Sequence, residues 1–144
     1  MPIKPTPDPA ERAAAFQRVR DAHQTELAED YVELIEDLIE INGEARLIDI
    51  AAHMGVSRAT ATQTVKRLSQ NGYVAAQRYR SVLLTETGKD LAAKARQRHQ
   101  ILYDFLRAVG IDEVTAFSDA EGMEHHVSGK TLAALKRLTA KLGA

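Results

Sequence analysis

A short acidic segment near the carboxyl end carries the side chains best suited to chemistry. The run E-G-M-E-H-H over residues 121–126 places Glu121, Glu124 and His125 at positions i, i+3 and i+4. On a helix these three side chains lie on one face, and carboxylate together with imidazole is a donor set for a divalent metal ion. Spacing alone leaves open whether this face binds a metal or is an ordinary polar surface.

The histidines do not complete a known hydrolytic motif. The pattern differs from the H-E-x-x-H of zinc peptidases, and no nucleophile or general base stands nearby. His99 falls beside the apolar stripe of a predicted helix, a position typical of a hydrogen-bonded boundary residue, while His53 and His126 are interpreted as surface or supporting residues. The absence of cysteine excludes disulfides, thiolate metal sites and cysteine nucleophiles. We predict that the protein is not an enzyme.

An amphipathic helix is predicted over residues 26–41, ended by Gly43. One stripe of this helix is apolar: Leu27, Tyr31, Leu34, Leu38 and Ile41. A second stripe is acidic: Asp30, Glu33, Asp37 and Glu40. Taken by itself, the acidic stripe is typical of a solvated helix face.

The charge is strongly segregated along the chain. The window from Ile50 to Thr85 contains no Asp or Glu but five Lys and Arg residues, so it carries +5, and with a total of −1 the other residues carry −6. A basic block within an acidic protein favours a polyanion as one partner.

The same window has the pattern of a helix-turn-helix. Ala51 and Gly55 stand between two short predicted helices, where a small residue lets the helices approach and a glycine permits the turn. The second helix begins after Ser57 as its N-cap and ends near Gln70. Its polar face carries the side chains that we predict to contact DNA bases and phosphates. They are Ser57, Arg58, Thr60, Thr62, Gln63, Lys66 and Arg67.

Two β-rich runs, 73–78 and 81–84, follow this helix and predict a hairpin. Arg78 and Arg80 lie at its tip, where a wing would contact an adjacent phosphate or the minor groove. Helices are then predicted over 86–109, 112–117, 120–127 and 130–141. The fold class is therefore mainly α with a small β-hairpin wing: a winged helix-turn-helix DNA-binding domain over residues 16–85 and a helical domain over 86–144.

Composition and length agree with a compact protein that functions in the cytoplasm. The chain has 144 residues, 44% of them hydrophobic, with no apolar run of membrane-spanning length and no secretory signal. All four prolines fall within the first nine residues. They predict a poorly ordered arm, which we place at residues 1–15, although D-P-A-E from Asp8 has the pattern of a helix start. A break in the helical pattern is expected near residues 23–25.

The order of these motifs resembles the manganese transport regulators of the diphtheria toxin repressor superfamily. The similarity rests on D-Y-V-E from Asp30, the winged helix, L-T-x-x-G, R-H-Q around His99, and D-A-E-G-M-E-H-H-V-S, and it extends over about residues 18–141. The resemblance implies a metal site, with two Mn²⁺ ions per subunit, between the first helix and a C-terminal dimerisation domain. Its implied ligands are Asp30, Glu33, His99, Glu121, Glu124 and His125, with Asp37 and Glu40 left as a solvated face.

The resemblance further implies a homodimeric repressor of manganese uptake genes that binds pseudo-palindromic double-stranded operator DNA. Iron-responsive relatives usually have methionine and cysteine where this chain has Asp30 and Glu121, which favours manganese. Two alternatives stay open at this point. One is a winged-helix regulator that senses iron or a non-metal ligand, and the other is a dinuclear metalloenzyme.

Overall fold

The computed structural model describes residues 8–76 and 81–143. In these two ranges it contains helices α1 (Pro9–Asn42), α2 (Leu47–Met54), α3 (Arg58–Gln70), α4 (Glu86–Ala108), α5 (Glu113–Met123) and α6 (Gly129–Gly143). The strands are β1 (Ala45–Arg46), β2 (Val74–Ala76) and β3 (Ser81–Leu84). The prediction of a mainly helical chain with a small sheet is confirmed. Among the described residues, no helix combines the length and the apolarity needed to cross a membrane.

Helix α1 begins at Pro9, inside the segment 1–15 that is predicted to be a poorly ordered arm. Asp8 caps it by accepting a hydrogen bond from the Ala10 amide at 3.1 Å, and Pro9 occupies the first turn, where its missing amide hydrogen costs nothing. The arm predicted for residues 1–15 is therefore wrong from Pro9 onward, and residues 1–7 lie outside the described part. The break expected near residues 23–25 is also wrong, because the helix continues through them.

The C-terminal half of α1 is buried more broadly than a single stripe predicts. Val32 and Ile35 are fully buried, whereas Leu27 and Ile41, at the two ends of the predicted stripe, are exposed. The reason is that α1 is packed on several sides at once, against β1, β3, α2 and α4. A helix enclosed in this way does not show one narrow apolar stripe.

Helices α2 and α3 and the sheet form the predicted helix-turn-helix and hairpin. Gly55 ends α2 in the left-handed conformation, with φ of 69°, that a glycine adopts without strain. The sheet has the order β1-β3-β2, with Val74 paired to Leu84 and Ala45 paired to Val82. Strand β1 was not predicted because two residues carry no periodic signal. The tip of the hairpin, with Arg78 and Arg80, lies outside the described residues.

The C-terminal helices form a second core. Leu102 of α4, Ala120 of α5 and Leu132 of α6 are buried against one another. Asp112 caps α5 by accepting a hydrogen bond from the Thr115 amide. Two separate helices were predicted over 112–117 and 120–127, but α5 is one helix that ends at Met123. No glycine or proline separates the two predicted segments, so nothing interrupts the helix between them.

Close packing at Gly88 generates a stability prediction. A Cβ atom at Gly88 would collide with the backbone carbonyl oxygen of Tyr73, which cannot move without distorting the sheet. We expect Gly88→Ala to lower the free energy of unfolding by about 1–3 kcal/mol, as overpacking does. Urea denaturation followed by circular dichroism measures this change.

The matched control is Gly122→Ala in α5, where a Cβ would meet nothing within 4 Å. This variant should be neutral or more stable by up to ~1 kcal/mol, because alanine favours a helix over glycine. Equal stability of the two variants would contradict the collision at Gly88.

Candidate metal centre and nucleic-acid interface

Three of the predicted metal ligands meet where α4 packs on α5. His99 projects from the middle of α4, Glu121 from the last turn of α5, and Glu124 from its C-cap. The Nδ1 atom of His99 lies 3.1 Å from Oε1 of Glu121 and 3.4 Å from Oε2 of Glu124. Ligand atoms of all three side chains lie within 4.8 Å of one another. This spacing is compact enough for a single cation to contact all three residues.

Helix α1 brings the other carboxylates to the same place. Nε2 of His125 lies 3.2 Å from Oδ1 of Asp30 and 3.4 Å from Oε1 of Glu124. The Glu33 carboxyl group interacts electrostatically with both Glu121 and Glu124. The structure therefore brings all six predicted side chains into one continuous cluster between α1, α4 and the end of α5. Their role as metal ligands stays a prediction.

The carboxyl groups in this cluster are unfavourable as free anions. Burial raises the pKa of Glu124, and the charges of Glu33 and Glu121 raise it further, to about 9. Burial and the charge of Glu121 likewise raise the pKa of Glu33, to about 7. In the metal-free chain, protons therefore neutralise part of the negative charge at neutral pH.

Several buried atoms of the cluster make close contacts with neighbouring side chains but no well-formed hydrogen bond. In the part of the chain that the structure describes, these buried atoms without a hydrogen-bond partner are Glu33 Oε1, His99 Nδ1 and both carboxylate oxygens of Glu124. Buried polar atoms are normally satisfied. Four carboxylates, two imidazoles and no sulfur form a hard donor set, so these residues fit a divalent cation such as Mn²⁺.

The cluster is reached from a cleft of about 320 Å³. Asp30, Glu33 and Glu121 line it from α1 and α5, and His53 and Met54 line it from α2. A cation could therefore enter beside the helix-turn-helix. His53, interpreted from sequence as a surface or supporting residue, lies on the wall of this cleft.

A buried residue that the sequence analysis missed orients His125. Glu29 of α1 is only 6% exposed, and its Oε2 atom lies 2.7 Å from Nδ1 of His125 and 2.6 Å from Nη2 of Arg98. Because an ionised carboxylate only accepts hydrogen bonds, Nδ1 of His125 donates to it, and Nε2 is left facing Asp30 and Glu124. Hydrogen bonds of this kind fix the orientation of metal-binding histidines.

The charges around Glu29 and His125 stabilise each other. Burial raises the pKa of Glu29, but the hydrogen bond from His125 and the charge of Arg98 outweigh burial and hold it below its usual value. Burial lowers the pKa of His125, yet Asp30 and Glu29 raise it to about 10. Glu29 stands next to Asp30 in the sequence but off the acidic stripe, and its partners lie 69 and 96 residues away. The only sign of its role in the sequence is an acidic residue at a position that faces the buried side of α1.

The rest of the acidic stripe has two different environments. Asp37 was predicted to be solvated, but its Oδ1 atom accepts a hydrogen bond from Arg96 of α4 at 2.5 Å. Arg96 also donates to Glu36 at 2.8 Å. Glu40 is exposed, as predicted. The predicted solvation of Asp37 is not contradicted, since its side chain is 48% exposed, but a cation from α4 approaches this side of α1 and pairs with it.

The predicted DNA-binding residues of α3 and its cap lie on one exposed face. All seven, from Ser57 to Arg67, are exposed, while Ala61, Val65 and Leu68 face the core. Ser57 also has a structural role, since its hydroxyl oxygen accepts a hydrogen bond from the Thr60 amide at 3.1 Å. DNA contact by these residues stays a prediction, as does the role of Arg78 and Arg80 beyond the described part.

Two family domains match the chain. Residues 23–82 match the iron dependent repressor N-terminal DNA-binding domain, and residues 85–143 match the iron dependent repressor metal-binding and dimerisation domain. The transcriptional regulator MntR of Escherichia coli O157:H7 is 48% identical over 134 residues, which cover 93% of this chain and 86% of that protein. The HTH-type transcriptional regulator MntR of Bacillus subtilis strain 168 is 39% identical over 104 residues, 72% of this chain and 73% of that protein.

Solved structures are similar in fold. The manganese regulator SloR superposes with a TM-score of 0.69 at 27% identity, covering 78% of this chain and 53% of that one. A manganese-dependent transcriptional repressor in complex with manganese gives a TM-score of 0.69 at 30% identity, covering 81% and 52%. This chain thus spans about half the length of these solved chains.

The raised pKa values predict how the metal-free protein responds to pH. The folded chain holds protons on Glu33, Glu124 and His125 at pH values where the unfolded chain has released them. The free energy of unfolding is therefore largest at pH values below the pKa values of these groups in the folded chain. It decreases as the pH rises toward those pKa values. Between pH 6.5 and 8.5, with EDTA present, we expect the free energy of unfolding to fall steadily as the pH rises.

Urea denaturation at a series of pH values measures this dependence. Glu124→Gln, which cannot ionise, is the control and should reduce the slope, while Glu33 and His125 keep their share of it. A metal-free stability that rises with pH over this interval would contradict the charge arrangement.

Proposed function

Because this chain belongs to the iron-dependent repressor family, we propose that it is a Mn²⁺-responsive transcriptional repressor of manganese uptake genes. It acts as a homodimer on pseudo-palindromic operator DNA in the cytoplasm. The observation that carries the proposal is the sulfur-free cluster of carboxylates and imidazoles between α1 and α5, beside an exposed basic recognition helix. Similarity to regulators named for manganese supports the choice of metal.

Six side chains would hold the metal, with two Mn²⁺ ions per subunit. They are Asp30, Glu33, His99, Glu121, Glu124 and His125. Their four carboxylates contribute −4 when ionised, the charge that two divalent ions neutralise. When bound, Mn²⁺ supplies this positive charge and accepts the oxygen and nitrogen lone pairs. Carboxylates at positions 30 and 121, rather than the softer sulfur ligands, favour manganese over iron.

The coupling to DNA runs through α1. Tyr31, Ile35 and Leu38 of this helix pack in the same core as Val65 and Leu68 of α3. Asp30 and Glu33, on the same stretch of α1, face the end of α5. Neutralising the cluster removes repulsion between α1 and α5, and this restricts how the recognition helix sits relative to the helical domain. We place the boundary between these two domains near residue 85.

DNA recognition is assigned to α3 and the wing. In a two-fold dimer the two recognition helices must enter successive major grooves, ~34 Å apart or a multiple of that distance. The exposed face of α3 offers Gln63 to base edges and Arg58, Lys66 and Arg67 to phosphates or guanine, without an acidic residue to repel the DNA backbone. Arg78 and Arg80 extend this basic surface in the sequence.

Metal-dependent DNA binding is the first test. We expect Mn²⁺ to strengthen operator binding by about 5–150-fold, and Glu124→Ala to lose this stimulation while its circular dichroism spectrum stays unchanged. The DNA is a duplex selected from a random pool by the wild-type protein with Mn²⁺. Fluorescence anisotropy with and without the metal gives the two affinities.

The matched control for this experiment is Asp119→Ala, which removes an exposed carboxylate from the same helix as Glu121. This variant should retain the full response to Mn²⁺. Tight, manganese-stimulated binding by Glu124→Ala would contradict the site assignment, and tight binding by the metal-free wild-type protein would favour a regulator with another signal.

The salt dependence of binding tests the role of Lys66. We expect Lys66→Ala to weaken binding to all duplexes and to reduce the slope of log K against log salt by about 1, because one phosphate contact is lost. The control is Gln63→Ala, which removes a neutral side chain three residues earlier. Gln63→Ala should relax sequence preference and leave the slope unchanged. An unaltered slope in Lys66→Ala would exclude it from phosphate contact.

A further inference from the structure

A second group of metal-binding side chains lies outside the six residues above. His23 and Glu26 stand on consecutive turns of α1, and His126 follows the end of α5. Oε2 of Glu26 lies 3.2 Å from Nδ1 of His23 and 3.7 Å from Nε2 of His126. The two imidazole rings meet edge to face, with centroids 4.9 Å apart. Two parts of the chain that are about a hundred residues apart thus converge on one carboxylate.

These separations fit a tetrahedral zinc site. Zinc binds nitrogen and oxygen ligands at about 2.0–2.2 Å, so two ligand atoms in a tetrahedral arrangement stand about 3.3–3.5 Å apart. The observed distances of 3.2 and 3.7 Å lie close to that value. Ligand atoms of all three residues lie within 4.8 Å of one another, so small side-chain rotations would complete the geometry.

The donor set distinguishes this cluster from the manganese centre. Two imidazoles and one carboxylate form a softer and less charged set than four carboxylates and two imidazoles, and imidazole favours zinc over manganese. Glu26 and His126 are each about one-third exposed, and His23 is more exposed. Three protein ligands leave one position of a tetrahedral ion free, and a water molecule would fill that position because the cluster is partly exposed.

The local structure holds the cluster in place without using its ligand atoms. Arg18 of α1 donates a hydrogen bond to the backbone oxygen of His126 at 3.4 Å, which ties the segment after α5 to α1. His125, the preceding residue, is anchored by Glu29. The backbone that carries His126 is thus anchored to α1 by two contacts.

We propose that His23, Glu26 and His126 form a separate site for a late first-row divalent cation, Zn²⁺ in the first instance. The bound ion joins the N-terminal half of α1 to the segment after α5. It adjoins the manganese centre, since Glu26 also lies within 4.8 Å of the ligand atoms of Asp30 and His125. The inference does not depend on the proposed function, because its ligands include none of the six residues assigned to manganese.

Counting bound zinc tests the proposal. Wild-type protein, His23→Asn and Asp119→Asn are titrated with Zn²⁺ at pH 7.5 against a chromophoric chelator. His23→Asn should bind about one zinc ion fewer per subunit than wild type. Asp119→Asn is the control, an exposed side chain of α5 outside both clusters, and should bind as many ions as wild type. His23 is exposed, so its replacement leaves the fold intact, which circular dichroism verifies.

A second variant and a second readout separate this site from the manganese centre. His126→Asn should lose the same single zinc ion. His23→Asn should retain its Mn²⁺-stimulated DNA binding, whereas Glu124→Ala loses it. Equal zinc content in wild type and both histidine variants would overturn the proposal. If Mn²⁺ fails to stimulate DNA binding in the wild type, the proposed function is wrong, but the zinc count still decides this site.

Discussion

The structure depends on a group of carboxylates that cannot all be ionised in the space they share. Glu33 of α1 and Glu121 and Glu124 of α5 and its C-cap interact in a partly buried cluster. Burial, together with repulsion between these carboxylates, raises the pKa of Glu33 and Glu124. Something must neutralise them at neutral pH. In the metal-free chain protons do so, and each proton offsets one charge, whereas a divalent cation offsets two and contacts several ligands at once. The approach of the carboxylates of α1 to those at the end of α5 is therefore sensitive to cations.

Ion pairs outside the carboxylate cluster limit how far a bound cation can move α1. Arg96 of α4 binds Glu36 and Asp37 of α1, and Arg98 binds Glu29. These contacts hold α1 against α4 whether or not the carboxylate cluster is neutralised. A cation that binds the cluster therefore acts on a helix, α1, that is already packed against α4. It adjusts the position of α1 and does not bring the two helices together. An adjustment of this kind agrees with a coupling free energy of about 1–3 kcal/mol, the usual range for allosteric regulators.

Features carried by local spacing could be predicted from sequence, and features created by distant contacts could not. The i, i+3, i+4 pattern of Glu121, Glu124 and His125 predicts one helix face, but α5 ends at Met123, and Glu124 and His125 lie in the turn that follows it. These side chains come together all the same, because Glu124 approaches both His99, which also contacts Glu121, and His125. The acidic stripe of α1 contains two residues that join this cluster and one, Asp37, that binds Arg96 instead. The spacing of the acidic residues does not show which of them join the cluster and which pairs with Arg96. That depends on which side of α1 faces α4 and which faces α5. Glu29 escaped notice for the same reason.

In the proposed function, α1 is the element through which a small change at the cluster would reach the recognition helix. The helix has 34 residues, so it extends for about 50 Å. Asp30 and Glu33 alternate along one stretch of it with Tyr31, Ile35 and Leu38, which are anchored in the core of the helix-turn-helix. A packed helix moves as a unit because its core contacts cannot slide independently. In the proposed mechanism, a shift of α1 toward α5 would carry the helix-turn-helix with it, so that α3 would change position without any contact between the cation and DNA.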